Sequence, residues 1–216
     1  MIRIFLVLAI IISSNAKATV IELFTSQGCS SCPPAEDWIS GLRQHPGFMK
    51  EFFPLVWHVD YWDRLGWKDT LARPDYTERQ RRYSSKWKTD QVYTPGVVVD
   101  GEEKRNWRDL NFKSFTPTKS LDLHLNKNLL TAKFKTSNSQ TAWLAIVSDG
   151  PVIPIKKGEN AGRSLRQDFV VIFLEKGSDL KGEFTWKLPS LKGHAVVWIE
   201  NKDDPTPLMT TALKLE

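Results

Sequence analysis

Cysteine is nearly absent from this chain: 216 residues carry two, at positions 29 and 32. Two thiols cannot make a disulfide scaffold. With no second cysteine pair and no His-x-x-x-His spacing, the sequence also shows no four-ligand set for a structural zinc ion. Methionine is scarce as well, with three residues, so soft thioether ligands for copper are few. The opening apolar run, residues 4–12, falls well short of the roughly twenty residues that span a bilayer. Strong charge of either sign is missing too. Thirty basic against 25 acidic residues leave a formal net charge of +5, too mild to argue for a nucleic-acid partner.

The first eighteen residues read as a processing signal. Arg3 supplies a small positive region, residues 4–12 the apolar one, and Ala16-Lys17-Ala18 the small-x-small form of a cleavage site. An uncut membrane anchor is the alternative. Cleavage before Thr19 would remove Arg3 and Lys17, lower the net charge to +3, leave no stable membrane span and deliver a periplasmic or secreted chain. Such a compartment is oxidising.

The two cysteines stand where a strand hands over to a helix. The apolar run Val20-Ile21-Glu22-Leu23-Phe24 leads through Thr25-Ser26-Gln27-Gly28 into Cys29-Ser30-Ser31-Cys32. Beyond Pro33 and Pro34, the residues Ala35, Trp38, Ile39 and Leu42 recur at helical period. Prolines suit only a first turn, and Glu36 and Asp37 lie where the helix dipole favours anions. Thiols at such a helix start are biased toward thiolate by the dipole and by free backbone N–H groups, below the ordinary pKa of about 8.5. As a staple the bridge would close a four-residue loop, worth about 2 kcal/mol where a fifteen-residue loop gives about 3. Redox chemistry is therefore the leading reading, with a metal site and a mere staple as alternatives.

Further along, residues 52–59 read as a buried strand. Residues 60–71 mix aromatics and charges without either period, which predicts a loop near the strand's carboxyl end. Residues 73–87 read as a solvated helix with an aromatic edge. Residues 92–101 form a strand headed by Tyr93-Thr94-Pro95 and closed by the hairpin signal Asp100-Gly101. A proline at a strand head blocks ladder pairing there and is one of the few places where a cis peptide is used. A short helix is expected over residues 107–115.

This order of parts resembles the thioredoxin superfamily, in which a Cys-x-x-Cys at a helix start faces a cis-proline loop. More closely, the chain resembles a family of exported bacterial thioredoxin-like proteins catalogued as a domain of unknown function. The residues that carry the likeness are Glu22 to Ala35, His58-Val59-Asp60-Tyr61-Trp62, Tyr93-Thr94-Pro95 and Gly158-Glu159-Asn160-Ala161-Gly162-Arg163. The resemblance implies a thioredoxin-like fold with Cys29, Cys32, Thr94 and Pro95 as the exchange site. Gly28 and Ser30-Ser31 depart from thioredoxin's own pattern, which leaves potential and direction open.

After residue 116 the texture changes to short alternating runs around residues 121–134, 142–147, 169–174, 184–188, 195–199 and 208–213. Such spacing suggests an antiparallel β-sandwich. The expected architecture is thus a leader (1–18), an α/β thioredoxin-like domain with an inserted loop (19–116) and a β-sandwich-like domain (117–216). Residues 158–163 form a glycine-containing loop, either a plain turn or a substrate-binding segment beside the cysteines. The second option makes Asp60, Trp62, Glu159, Asn160 and Arg163 candidate substrate contacts, with Arg163 facing Cys29 or orienting Asp60. Of four histidines only His58 adjoins the proposed site.

The expected function is thiol–disulfide exchange with protein thiols or disulfides and a redox partner protein. It requires no cofactor and no metal. A copper-binding chaperone on a thioredoxin fold, using both cysteines and His58, is the first alternative. A redox-inert binding module is the second.

Overall fold

The computed structural model describes residues 19–110, 121–134, 139–179 and 182–216. The expected leader, the expected junction near residue 116 and the end of the helix expected over 107–115 lie outside them. β1 (Thr19–Thr25) and β2 (Phe52–His58) run parallel and are buried throughout. A strand covered on both faces needs apolar side chains at successive positions, and Val20, Ile21, Leu23 and Phe24 supply them. Between the two, α1 (Pro33–Ser40) opens on its prolines and buries Ala35 and Ile39. A 3₁₀ turn, Gly41–Gln44, extends the stripe to Leu42.

The second helix, α2 (Pro74–Lys86), departs from its solvated reading. Tyr76, Thr77, Arg79, Gln80, Tyr83 and Ser84 are all buried, and ion pairs inside the protein satisfy its polarity. Arg79 Nε donates to Glu22 Oε1 at 2.5 Å and its Nη1 to Glu200 Oε2 at 3.1 Å. Its guanidinium also lies over the rings of Trp57 and Trp198. β3 (Gly96–Val99) then pairs antiparallel with β1. The turn Asp100-Gly101, both residues at positive φ, leads into β4 (Glu102–Glu103).

The remaining strands are β5 (Asp122–Asn126), β6 (Leu129–Lys133), β7 (Gln140–Ser148), β8 (Ile153–Pro154), β9 (Ser164–Leu165), β10 (Val170–Lys176), β11 (Ser178–Asp179), β12 (Glu183–Lys187), β13 (Gly193–Asn201) and β14 (Asp204–Leu215). Eight strands form one mixed sheet in the order β14-β13-β7-β10-β2-β1-β3-β4, and β11-β12-β6-β5 form a second. Successive residues of β13 serve two cores. Val196 and Trp198 pack with β1, β2 and α2, whereas Ala195, Val197 and Ile199 pack with Leu130, Ala132, Phe184 and Trp186 of the smaller sheet.

This arrangement overturns the expected fold class of an α/β thioredoxin-like unit followed by a β-sandwich. Among the described residues strand far outweighs helix, with only two α-helices, and the large sheet draws strands from both halves of the chain. The join is at β2, where Val56 pairs in parallel with Val170 and its N–H donates to the Phe169 carbonyl at 2.9 Å. Hydrophobic alternation shows which face of a strand is buried but not which edge it pairs with. The continuity of the sheet was therefore invisible in the pattern.

Candidate functional site

At the end of β1 the chain turns sharply. Cys29 N–H donates to the Ser26 carbonyl at 3.0 Å, and Gly28 N–H to Ser26 Oγ at 3.1 Å. Cys29 and Cys32 are joined as a disulfide, and Cys32 is the N-cap of α1. Pro33 and Pro34 have no N–H, and the N–H groups of Ala35 and Glu36 both donate to the Cys32 carbonyl. The expected free donors are thus absent from the first turn of α1, and the helix dipole remains as its contribution to a thiolate. Ser30 and Ser31 are exposed, yet Cys29 and Cys32 have no exposed surface.

Thr94-Pro95 is a cis peptide. It immediately precedes Gly96, which pairs with Phe24 of β1, so it stands at the same end of the sheet as the cysteine turn. The 158–163 segment, the tip of the β8–β9 hairpin, lies on that turn as well. Glu159 Oε2 accepts from Ser30 N–H at 3.1 Å and from Ser30 Oγ at 2.7 Å. Asn160 Nδ2 donates to the carbonyls of Gln27 and Cys29, both at 2.9 Å. Arg163 donates to Asn160 Oδ1 at 3.0 Å; it pairs with neither Asp60 nor Glu159. Asp60 instead exchanges hydrogen bonds with Thr77 at the start of α2. Trp62 stands beside Gly28, where an added Cβ would lie 3.4 Å from the Trp62 Cβ.

Beneath the turn is a buried polar group that the sequence reading mostly missed. Asp69 Oδ2 accepts from Gln27 N–H and bonds His58 Nδ1, both at 2.7 Å, while Oδ1 accepts from Leu71 N–H at 2.9 Å. Trp67 Nε1 donates to Gln27 Oε1 at 2.9 Å, so Gln27 is held through both its backbone and its side chain. Thr25 Oγ1 donates to Glu36 Oε1 at 2.6 Å. Burial pushes the Glu36 carboxyl above its ordinary range, and the nearby His58 offsets this only in part. Burial also works against a charged His58, but the Asp69 carboxylate beside it prevails and holds the imidazolium pKa above ordinary. The same pairing, with the backbone donors, outweighs burial at Asp69 and holds its carboxyl low.

Of these residues, His58 is the one its place before the aromatic loop marks in the sequence. Asp69 is one of several charged residues in an aperiodic stretch that mixes aromatics and charges, and nothing in the sequence sets it apart. Glu36, a dipole anion by its place in the sequence, instead accepts a part-buried hydrogen bond from Thr25. Among the described residues, no cluster of three or more His, Cys, Asp or Glu is arranged to hold a metal ion. Among the same residues, no helix is long and apolar enough to cross a membrane.

Strand, cysteine turn, helix start and cis-proline thus lie at one end of the large sheet, the end that carries the Cys29–Cys32 disulfide. The chain belongs to the family described as a protein of unknown function, DUF1223, whose model matches residues 20–200. Among solved structures it is similar to protein AGR_C_4864 from Agrobacterium tumefaciens at 25% identity and a TM-score of 0.69, covering 93% of this chain and 98% of that one. It is also similar in fold to HBP35 of Porphyromonas gingivalis at 15% identity and a TM-score of 0.62, covering 94% and 76%. No curated protein matches.

Proposed function

We propose that the protein is an exported thiol–disulfide oxidoreductase acting on protein thiols or disulfides together with a redox partner protein. The observation that carries this reading is the closed Cys29–Cys32 disulfide at the start of α1, at the sheet end that also holds the cis Thr94-Pro95 peptide. The likeness of this local arrangement to the thioredoxin superfamily supports it. So does the redundancy of the bridge as a staple, since the turn is already held by Asp69, Trp67 and Asn160.

In the oxidised protein a partner thiolate attacks Cys29 Sγ. A bond forms between the partner sulfur and Cys29, and the electron pair of the Cys29–Cys32 bond departs on Cys32 Sγ. Cys32, at the positive end of the α1 dipole, is a stabilised leaving thiolate. A second thiolate of the partner then attacks the partner sulfur of the mixed disulfide, and the electron pair of that bond departs on Cys29 Sγ, leaving an oxidised partner and two reduced cysteines. In the opposite direction Cys32 attacks Cys29 Sγ, closes the intramolecular bond and releases the partner thiol. Glu36 stands one helical turn beyond Cys32, on the same helix face. Its carboxylate accepts from Thr25 Oγ1 at 2.6 Å.

The test uses a peptide bearing a single activated mixed disulfide and the reduced protein. Wild type is expected to release the peptide thiol and close its own bridge. The Cys32→Ser protein is expected to hold the peptide as a stable adduct, and Cys29→Ser to react slower by on the order of tenfold. Equal adduct formation by the two single variants would contradict the assignment of Cys29 as the attacked sulfur.

A further inference from the structure

Neither cysteine has exposed surface, although the two serines between them do. Exchange requires a nucleophile in line with the S–S bond, so a neighbouring segment has to move. The two segments beside the turn are held very differently. The 60–71 connection is anchored from within: Asp69 bonds Gln27, His58 and Leu71, and its N–H donates to Asp63 Oδ1 at 3.0 Å.

By contrast, β8 and β9 pair only with each other, over two residues, and join neither of the other sheets. Backbone bonds from Ile155 to Arg163 and from Gly162 to Ile155 keep the hairpin a unit in itself. From residue 156 to residue 164 every side chain but Asn160 is exposed. Asn160 has no exposed surface, and Arg163 fixes the orientation of its carboxamide.

We propose that this hairpin is a gate over the exchange site, with Asn160 and Glu159 as its latch, and that the closed gate keeps small reductants from the disulfide. The inference rests on the exchange reading for its purpose, but not for its geometry. In the closed state Asn160 holds the Gln27 and Cys29 carbonyls and Glu159 holds Ser30. Lifting the tip breaks these side-chain bonds and no β-ladder outside the hairpin. Such a segment belongs among those that open well below the free energy of global unfolding.

Reduction of the oxidised full chain by an uncharged phosphine, tris(hydroxypropyl)phosphine, tests this. The phosphine takes oxygen from water and leaves two thiols, so it reports access to the disulfide whether or not the protein acts on any client. Asn160→Ala changes no charge and is expected to speed reduction about tenfold, with Glu159→Gln acting in the same direction. Because Asn160→Ala could unfold the turn, wild type is also measured across low urea concentrations. The gate predicts a reduction rate whose urea slope is well below that of global unfolding. Reduction of Asn160→Ala within about twofold of wild type, or a wild-type slope equal to the global one, would overturn the gate. Failure of peptide trapping by Cys32→Ser would instead overturn the exchange reading and leave the gate standing.

Discussion

An Arg79→Ala protein is expected to lose about 3–5 kcal/mol of stability, the usual cost of removing one partner from a buried ion pair. Glu22 and Glu200 are essentially without exposed surface, and both accept from the guanidinium. Glu22 would keep only Trp57 Nε1 and the Tyr83 hydroxyl, while Glu200 would keep Arg82, Trp143 and Trp198. Arg79→Lys is expected to lose most of the same amount, because one ammonium cannot reproduce a fork that reaches two carboxylates on different strands. The double variant Arg79→Met with Glu22→Gln is expected to recover part of the loss by removing one stranded charge. Urea unfolding measures all three. A loss below about 1 kcal/mol in Arg79→Ala would show that the network is hydrated rather than buried. Total stabilities run to about 5–15 kcal/mol, so the network that ties α2 to β1 and β13 is a large share of the whole.

The second large effect is expected at Asp69. Asp69→Ala leaves the His58 ring, the Gln27 N–H and the Leu71 N–H without their acceptor, at a cost of about 3–5 kcal/mol. The signature is in the pH dependence. Asp69 titrates below its ordinary 3.8 in the folded protein. Its contribution is therefore complete above that value and is lost as pH falls through the lowered folded pKa. His58 titrates above its ordinary 6.5, so its contribution is complete below that value and is lost as pH rises through the raised folded pKa. The pair stabilises fully between the two ordinary values and fades outside them. Glu36, raised by burial, acts in the opposite sense and subtracts stability as it ionises. In Asp69→Ala the alkaline decline that follows His58 is expected to vanish; Glu36→Gln is expected to keep it. An alkaline limb unchanged in Asp69→Ala would contradict the pairing.

Much of the site was legible because it is local in sequence. Cys29, Cys32, the prolines and the stripe of Ala35, Ile39 and Leu42 specify a strand-to-helix turn through short-range rules alone. Glu159 and Asn160 were read as one of two options for a glycine-containing loop. The structure places that loop on the cysteine turn through side-chain bonds spanning more than a hundred residues, which no periodicity reports. The burial of α2 was illegible for a related reason. Arg79 and Gln80 look solvated until their acceptors, Glu22 and the Tyr93 carbonyl, come in from distant segments. The fold class failed on strand pairing: Val56 and Val170 were each read correctly as strand residues, but nothing in either run names its neighbour.

The reduction potential of the Cys29–Cys32 pair, measured by equilibration in glutathione redox buffers, tests the proposed function most directly. An exchange catalyst is expected to reach a reversible equilibrium with a potential between about −120 and −270 mV, the span of exchange-active cysteine pairs. Glu159, whose carboxylate sits at Ser30 between the two cysteines, disfavours a Cys29 thiolate and so places the value toward the reducing end. A potential below about −300 mV, the range of structural disulfides that glutathione does not open, would contradict thiol–disulfide exchange as the work of this site.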